Sequence, residues 1–466
     1  MQLLARRRFV LSTLICGSVL GGLLCKCILL QSQESSLKLV ESAEPDPELN
    51  SLPSSDYPVE HPQIEQNPLH PFASLRGPPT PSFKDNLRNE TKYVTSWGSS
   101  AGWTNDVISF INLLYLAVIT DRTAILPVFV STHLPGHAPG LVFSDAFDLP
   151  RLRRALGRPI LEWQEIKEPG SKVVDDLGCW NVWGSVQYND PNPRHSHVPS
   201  LLNIDISYTK TPSWVKMVPN YEHDQHSTFW SLAALAFPNA RKSNIVPALP
   251  SPRLKRSLEP DDQLLCFDFL YYVAAQEPFE IGLDYSPGWR YVGQYMRWTE
   301  ALERLADQYV RLALGVADHQ PIPSFITVHA RREDFAGWCS GFTTEECFAP
   351  LSAIDRRVQE VKAEILQRKG IEVEHVIITS DEQNRTWWNQ VEEMGWRTPD
   401  HVKLKTEETH GIWYPVLIDA VIQSQGAGFV GTLQSTFSII SARRVDSWND
   451  GPVRMVAWGR PGADDH

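Results

Sequence analysis

The chain has 466 residues and a formal net charge of −12, with 42% apolar and 21% charged residues. One hydrophobic core rarely grows past about 250–300 residues, so the length predicts two domains. The acidic balance excludes non-specific nucleic-acid binding, which needs a cationic face, and the 16 Trp are assigned first to the core.

In chain order, Arg6, Arg7 and Arg8 precede an apolar run from Phe9 to Cys25 that extends to Leu30 across Lys26. A helix of about 20 apolar residues crosses a bilayer, and the arginines should stay cytoplasmic. Residues 1–8 therefore read as a cytoplasmic tail and 9–30 as a signal-anchor transmembrane helix, leaving the rest of the chain lumenal, a type II arrangement. The competing reading is a cleaved signal peptide; Cys25-Lys26-Cys27 stands where its small-x-small site would be. Residues 31–85 are rich in Pro, Ser and Glu, a composition that cannot bury enough surface to fold, and are expected to form a disordered stem.

From Tyr93 the pattern changes. Residues 92–96 read as a strand, followed by the glycine-containing turn 97–102, a helix over Val107–Ile119 and a strand over Thr123–Pro127, which together make a βαβ unit. The apolar run Leu264–Val273 predicts one buried strand. Arg297–Leu314 has helical spacing, and the first domain is drawn over 86–300. The region 135–260 has no regular pattern, and acceptor contacts are expected in its loops. Beyond it, strands over Phe325–His329, Val376–Thr379, Val402–Leu404 and Phe429–Gly431 alternate with helices over Leu351–Arg368, Arg385–Met394, Trp413–Gln425 and Ser435–Val445. That alternation predicts a second, doubly wound parallel domain over 301–466.

Four cysteines fall in the lumenal part: Cys179, Cys266, Cys339 and Cys347. An even count in an oxidising compartment allows two disulfides, and Cys339 with Cys347 flanks a short loop. Asn89-Glu90-Thr91 and Asn384-Arg385-Thr386 are glycosylation sequons, consistent with the secretory pathway.

Ligands of parallel sheets sit beyond the carboxyl ends of the strands. There stand His329, Arg331 and Arg332 after one strand, Asp381 and Glu382 after another, and Thr432, Ser435 and Thr436 after a third. An Arg beside hydroxyls at a helix start is a phosphate-binding arrangement: the helix offers free N–H groups, and the guanidinium meets two oxygens at once. Each residue also has a plainer role: Ser435 or Thr436 as an N-cap, Arg331 paired with Asp334 or Glu333, His329 as a hydrogen-bonded core histidine. The sequence contains no cluster with metal-ligand spacing, no P-loop and no nucleophile elbow.

These motifs resemble the GDP-fucose protein O-fucosyltransferases and their fungal relatives. The resemblance rests on Gly102-Trp103-Thr104-Asn105-Asp106 opening a helix, on His329-Ala330-Arg331 with its continuation to Phe335, and on Asp419 followed by Phe429-Val430-Gly431 and Ser435-Thr436-Phe437. It covers 93–130 and 322–446. It implies two Rossmann-like domains facing a cleft (GT-B type) and an inverting, metal-independent transfer of fucose from GDP-fucose to a protein Ser or Thr hydroxyl, in the Golgi or endoplasmic reticulum. Arg331 would bind the diphosphate and assist its departure, His329 and Asp419 would contact the nucleoside, and Ser435, Thr436 and Phe437 would hold the β-phosphate side. Asn105 would line the cleft near sugar and acceptor. The first loop departs from the family pattern, with Thr104 for Gly and Asp106 for Gln, and Asp106 becomes the candidate base. Two alternatives stay open: another GDP-sugar or a glycan acceptor on the same fold, and a catalytically inactive membrane-anchored binding protein.

Overall fold

Two parallel sheets organise the chain. The computed structural model describes residues 67–98, 101–136, 138–188 and 190–465; the expected tail, the anchor and most of the stem lie outside the described residues. The first sheet contains β1 (Tyr93–Ser96), β2 (Thr123–Leu126), β3 (Ile160–Glu162), β4 (Asp175–Asn181), β5 (Ile204–Lys210) and β6 (Leu264–Phe267), in the order β3-β2-β1-β6-β4-β5. The second contains β7 (Phe325–Ala330), β8 (His375–Ser380), β9 (Gly428–Thr432) and β10 (Val453–Val456), in the order β8-β7-β9-β10. Every neighbouring pair in both sheets is parallel.

Parallel strands are covered on both faces, and the helices provide the cover. The core helix α1 (Trp103–Thr120) follows β1. It is long and apolar enough to cross a membrane by composition alone, but 83% of it is buried inside the protein. Helix α2 (Glu300–Leu314) starts at the Thr299 cap and ends at Gly315 in the left-handed conformation. Helices α3 (Leu351–Lys369), α4 (Arg385–Glu393), α5 (Tyr414–Gln425) and α6 (Thr436–Asn449) wrap the second sheet. Helix α5 packs on both α2 and α6. The largest apolar cluster runs through both halves, joining Trp103, Phe110 and Leu114 of α1 to Leu417 and Ile418 of α5 and Ile440 of α6.

Three expectations are corrected. The stem does not reach residue 85. Leu75 is fully buried, the Tyr93 hydroxyl donates to the Ser74 carbonyl at 2.5 Å, and the Thr80 N–H bonds the Ile166 carbonyl at 3.1 Å; these contacts compensate for a composition that looks unfoldable in isolation. The run Leu264–Val273 is not one strand. The Asp268 side chain is fully buried and accepts the N–H groups of Val182 at 2.7 Å and Arg194 at 2.8 Å, so the chain breaks after Phe267, and Val273–Ala274 pairs with Ser227–Thr228 instead. Residues 402–404 form a turn. Asp400 accepts the Lys403 N–H at 2.9 Å, Lys405 adopts a left-handed conformation and Val402 is 90% exposed. The strand β10 was not expected at all.

Two disulfides are present among the described residues. Cys179–Cys266 ties β4 to β6, and Cys339–Cys347 closes the loop that follows β7.

Candidate active site

The carboxyl ends of five strands, three in the first sheet and two in the second, feed one cavity of about 790 Å³. Residues 101–105 follow β1, residues 131–134 follow β2, and Tyr271, Tyr272 and Phe279 come after β6. From the second sheet come Arg331, Asp334, Phe335 and Trp338 after β7 and residues 433–437 after β9, with Trp413 and Val416 at the start of α5.

Two helix N-termini meet in the cavity wall. Helix α1 begins at Gly102, which has no side chain to cap it, and α6 begins at Ser435, whose Oγ accepts the Ser438 N–H at 3.3 Å. The two starts are joined directly. The Thr436 hydroxyl donates to Asn105 Oδ1 at 2.9 Å and lies 2.7 Å from the Thr104 hydroxyl. With its proton used on Asn105, Thr436 accepts from Thr104. Both N-termini carry partial positive charge and unpaired N–H groups, the standard setting for an anion.

Arg331 lines the same cavity. Its Nε lies 2.8 Å from Asp334 Oδ1 and its Nη1 2.9 Å from Asp381 Oδ2, and its backbone N–H donates to Thr432 Oγ1 at 2.9 Å. Asp381 also accepts the Arg332 N–H at 2.8 Å, so one carboxylate steadies both arginines. Arg332 turns away, paired with Glu382 and stacked over Phe348 and Trp387.

The other expected residues fall in two groups. Asn105, Ser435, Thr436 and Phe437 line the cavity. His329, Asp419 and Asp106 do not. His329 is buried beneath Phe437, with Nδ1 2.7 Å from the Ser438 hydroxyl; burial, reinforced by Arg331, pushes its pKa down to about 3. The ring is therefore neutral and supports the floor of the site. Asp419 pairs with His401 Nε2 at 2.9 Å, and although burial opposes the charged ring, this carboxylate raises the His401 pKa.

Asp106, the candidate base, is fully buried in the first turn of α1. Its carboxylate accepts the Val130 N–H at 3.1 Å and sits under Gly98, where an added Cβ would come within 2.7 Å of Oδ2. It clamps the loops after β1 and β2 together from behind the cavity wall, out of reach of a substrate in the cavity. The expected base is therefore corrected to a loop anchor.

Several lining residues escaped sequence reasoning. Trp338 is 64% exposed at the cavity edge and stacks on Phe335 at 4.9 Å. Phe279 holds a left-handed backbone (φ 57°), unusual for an aromatic residue. Tyr271 and Tyr272 both have pKa values raised by burial. His133 stands after β2; the strand-end rule applied to the first sheet as it was to the second would have found it.

The chain matches the family model described as GDP-fucose protein O-fucosyltransferase over residues 93–446. No curated protein matches it. Among solved structures it is similar to POFUT1 in complex with GDP-fucose, with 14% identity over 78% of this chain and 98% of that one and a TM-score of 0.48. It is also similar to the fucosyltransferase NodZ from Bradyrhizobium, with 13% identity over 76% of this chain and 93% of that one and a TM-score of 0.39.

Proposed function

The chain belongs to the GDP-fucose protein O-fucosyltransferase family and is a glycosyltransferase, and from that premise we propose that it transfers fucose from GDP-fucose to a protein Ser or Thr hydroxyl with inversion at the anomeric carbon. The observation that carries this reading is the meeting of Arg331 with the N-termini of α1 and α6 in one cavity. The acceptor oxygen bonds to the anomeric carbon while the bond from that carbon to the β-phosphate oxygen breaks, and GDP leaves with the electron pair. The charge that develops on the leaving diphosphate meets a guanidinium and two sets of backbone N–H groups that are already in place, which is how electrostatic preorganisation lowers a barrier. Ser435, Thr436 and Phe437 hold the β-phosphate side, Asn105 faces sugar and acceptor, and His329 acts from beneath through Phe437 and Ser438.

This reading requires no metal ion, since fixed positive charge already faces the leaving group; EDTA is expected to leave the rate unchanged. It also keeps the catalytic part on the lumenal side of a Golgi or endoplasmic-reticulum membrane behind the N-terminal anchor. The two disulfides and the exposed sequon residues Asn89 and Asn384 support that placement.

A second reading, a donor-binding protein without turnover, is favoured by the pairing of Arg331 with two carboxylates. Incubating the chain with GDP-fucose separates the two. GDP release with fucose found on a Ser/Thr peptide library supports transfer, donor binding without release supports the second reading, and no binding of any GDP-sugar removes both.

A further inference from the structure

Fucosyl transfer to a hydroxyl frees a proton, and Asp106, buried behind the wall, cannot take it from a substrate in the cavity. Among the described residues that line the cavity, those that titrate are His133, Tyr271, Tyr272, Arg331 and Asp334. Burial raises both tyrosines, so they stay protonated and cannot accept. Arg331 is a permanent cation, and Asp334 is held at 2.8 Å by Arg331. That leaves His133.

Its position fits the task. The loop after β2 brings the imidazole over the start of α1. A Cβ built on Gly102 would lie 3.2 Å from His133 Nε2 and 3.9 Å from Asn105 Oδ1, so the ring nitrogen and the carboxamide oxygen border one spot, where residue 102 leaves space. His133 is also exposed, so a proton taken from substrate can pass on to solvent. The charged groups that line the cavity with it are Arg331 and Asp334, while Asp106, in the first turn of α1, is buried behind the wall.

We propose that His133 is the general base of the reaction, resting on the fucosyl-transfer reading above. The acceptor O–H bond breaks as the oxygen–carbon bond to fucose forms, the proton goes to a ring nitrogen of His133, GDP departs with the bonding electrons, and the imidazolium returns its proton to water. His133 makes no side-chain hydrogen bond to any described residue, which leaves the ring free to meet an acceptor.

The test uses the full chain, GDP-fucose and a peptide library rich in Ser and Thr. His133→Ala is expected to bind GDP-fucose with its Kd within about twofold of wild type, because the ring is not part of the diphosphate site. Its kcat should fall about 10²–10⁴-fold, the usual worth of a positioned base, and the fall in kcat at acidic pH should disappear. Imidazole in the buffer should recover part of that loss. His133→Glu should recover activity with the acidic limb moved to lower pH, because a carboxyl group is the stronger acid.

Retention of kcat within threefold and of the acidic limb in His133→Ala would overturn the assignment. So would a donor-binding His133→Ala that neither imidazole nor His133→Glu restores, which would mark a structural role. If His133→Ala fails to bind donor, the wild-type profile decides: a kcat independent of pH between about 5 and 8, where histidines usually titrate, overturns the role, and a rate lost on acidification supports it. An inactive wild-type chain that still binds GDP-fucose would overturn the transfer reading, and His133 with it; an active one indifferent to His133 overturns the base alone.

Discussion

The two sheet edges offer the cavity different chemistry. The edge of the second sheet is charged and tied down. Arg331 is gripped by Asp334 and Asp381, Thr432 donates to the His329 carbonyl at 3.1 Å, and Ser438 fastens both the Thr432 N–H and His329. The edge of the first sheet is built of loops bearing Gly102, Asn105 and His133, with the buried carboxylate of Asp106 used from behind to hold those loops together. A diphosphate needs fixed positive charge, whereas an acceptor hydroxyl needs room and a neutral base. On the proposed fucosyl-transfer reading, this asymmetry puts donor binding at the second sheet and acceptor activation at the first.

The largest expected effect tests the donor side. Arg331→Ala should lower kcat by about 10³-fold or more, given that a single preorganised donor is worth about 10²–10³ and a transition-state arginine in phosphoryl transfer about 10³–10⁵. Arg331→Lys should recover little, since a point charge lacks the planar fork. Both variants should keep the wild-type melting temperature within a few degrees, because Asp334 is half exposed and Asp381 keeps the Arg332 N–H as a partner. The contrast with His133→Ala sharpens the comparison: loss of Arg331 should weaken GDP binding as well as turnover, and loss of His133 only turnover. If Arg331→Ala kept full activity, the donor assignment would fail.

The same asymmetry governs what could be read in the sequence. The second domain was legible because its helices and strands alternate with plain punctuation: Pro350 opens α3, Gly370 closes it, and Ser435 caps α6. The Cys339–Cys347 pair flanks a loop short enough to suggest itself. The first domain was legible over β1, α1 and β2 and, in part, over β6, which opens the run read as one strand. Its strand β4 carries Asp175 and Asp176, which look like surface residues. They are buried because Lys167 lies 2.6 Å from Asp175, while Lys84 and Arg256 bind Asp176. For Asp176 the partners lie 92 and 80 residues away in sequence, and one-dimensional patterning cannot show that. Asp106 was misread for the same reason, since its partner Val130 lies on a different loop. Val402–Leu404 failed in the opposite way: β-branched and apolar residues suggested a strand, but Asp400 captured the local N–H groups first.

Next in size come the disulfides. Cys179 and Cys266 are 87 residues apart, whereas Cys339 and Cys347 are separated by only 8. By loop-closure entropy the longer link is worth about 4–5 kcal/mol and the shorter about 2–3 kcal/mol. Replacing both members of the first pair with Ala should therefore cost more global stability, read from the urea midpoint. Replacing the second pair should cost less stability and instead raise the KM for the donor, since Cys339 directly follows the turn Asp334–Trp338 that lines the cavity. Equal stability losses, or an unchanged KM in the second case, would break this division of labour.

A pH experiment probes the floor of the donor side. The folded-state pKa of His329 is about 3, below the ordinary value of about 6.5 expected in the unfolded chain. Between those values the unfolded chain binds the extra proton, so the contribution of His329 to stability is fully present above about pH 6.5 and is lost as pH falls towards about 3. His329→Gln should flatten that part of the stability profile, measured by chemical denaturation at successive pH values. The acidic limb of kcat in the wild type should survive in His329→Gln and vanish in His133→Ala, which separates a histidine of the floor from the proposed base.

The smallest effect concerns the two carboxylates on Arg331. Asp381 is mostly buried, and its other oxygen accepts the Arg332 N–H, so it is built into the strand ends. Asp334 has a side chain 48% exposed and touches Arg331 from the loop after β7. An exposed ion pair is worth about 0–1 kcal/mol, little enough for an incoming diphosphate to displace. Asp334→Asn should therefore tighten GDP-fucose binding by up to about fivefold, the factor that 1 kcal/mol represents, with stability unchanged. Asp381→Asn should weaken binding, because the guanidinium loses the partner that aims it. Calorimetric titration of GDP against both variants reads the signs directly. Opposite signs would mean that one carboxylate competes with the donor while the other holds the arginine ready for it; a loss of affinity in both would make Asp334 part of the aiming apparatus.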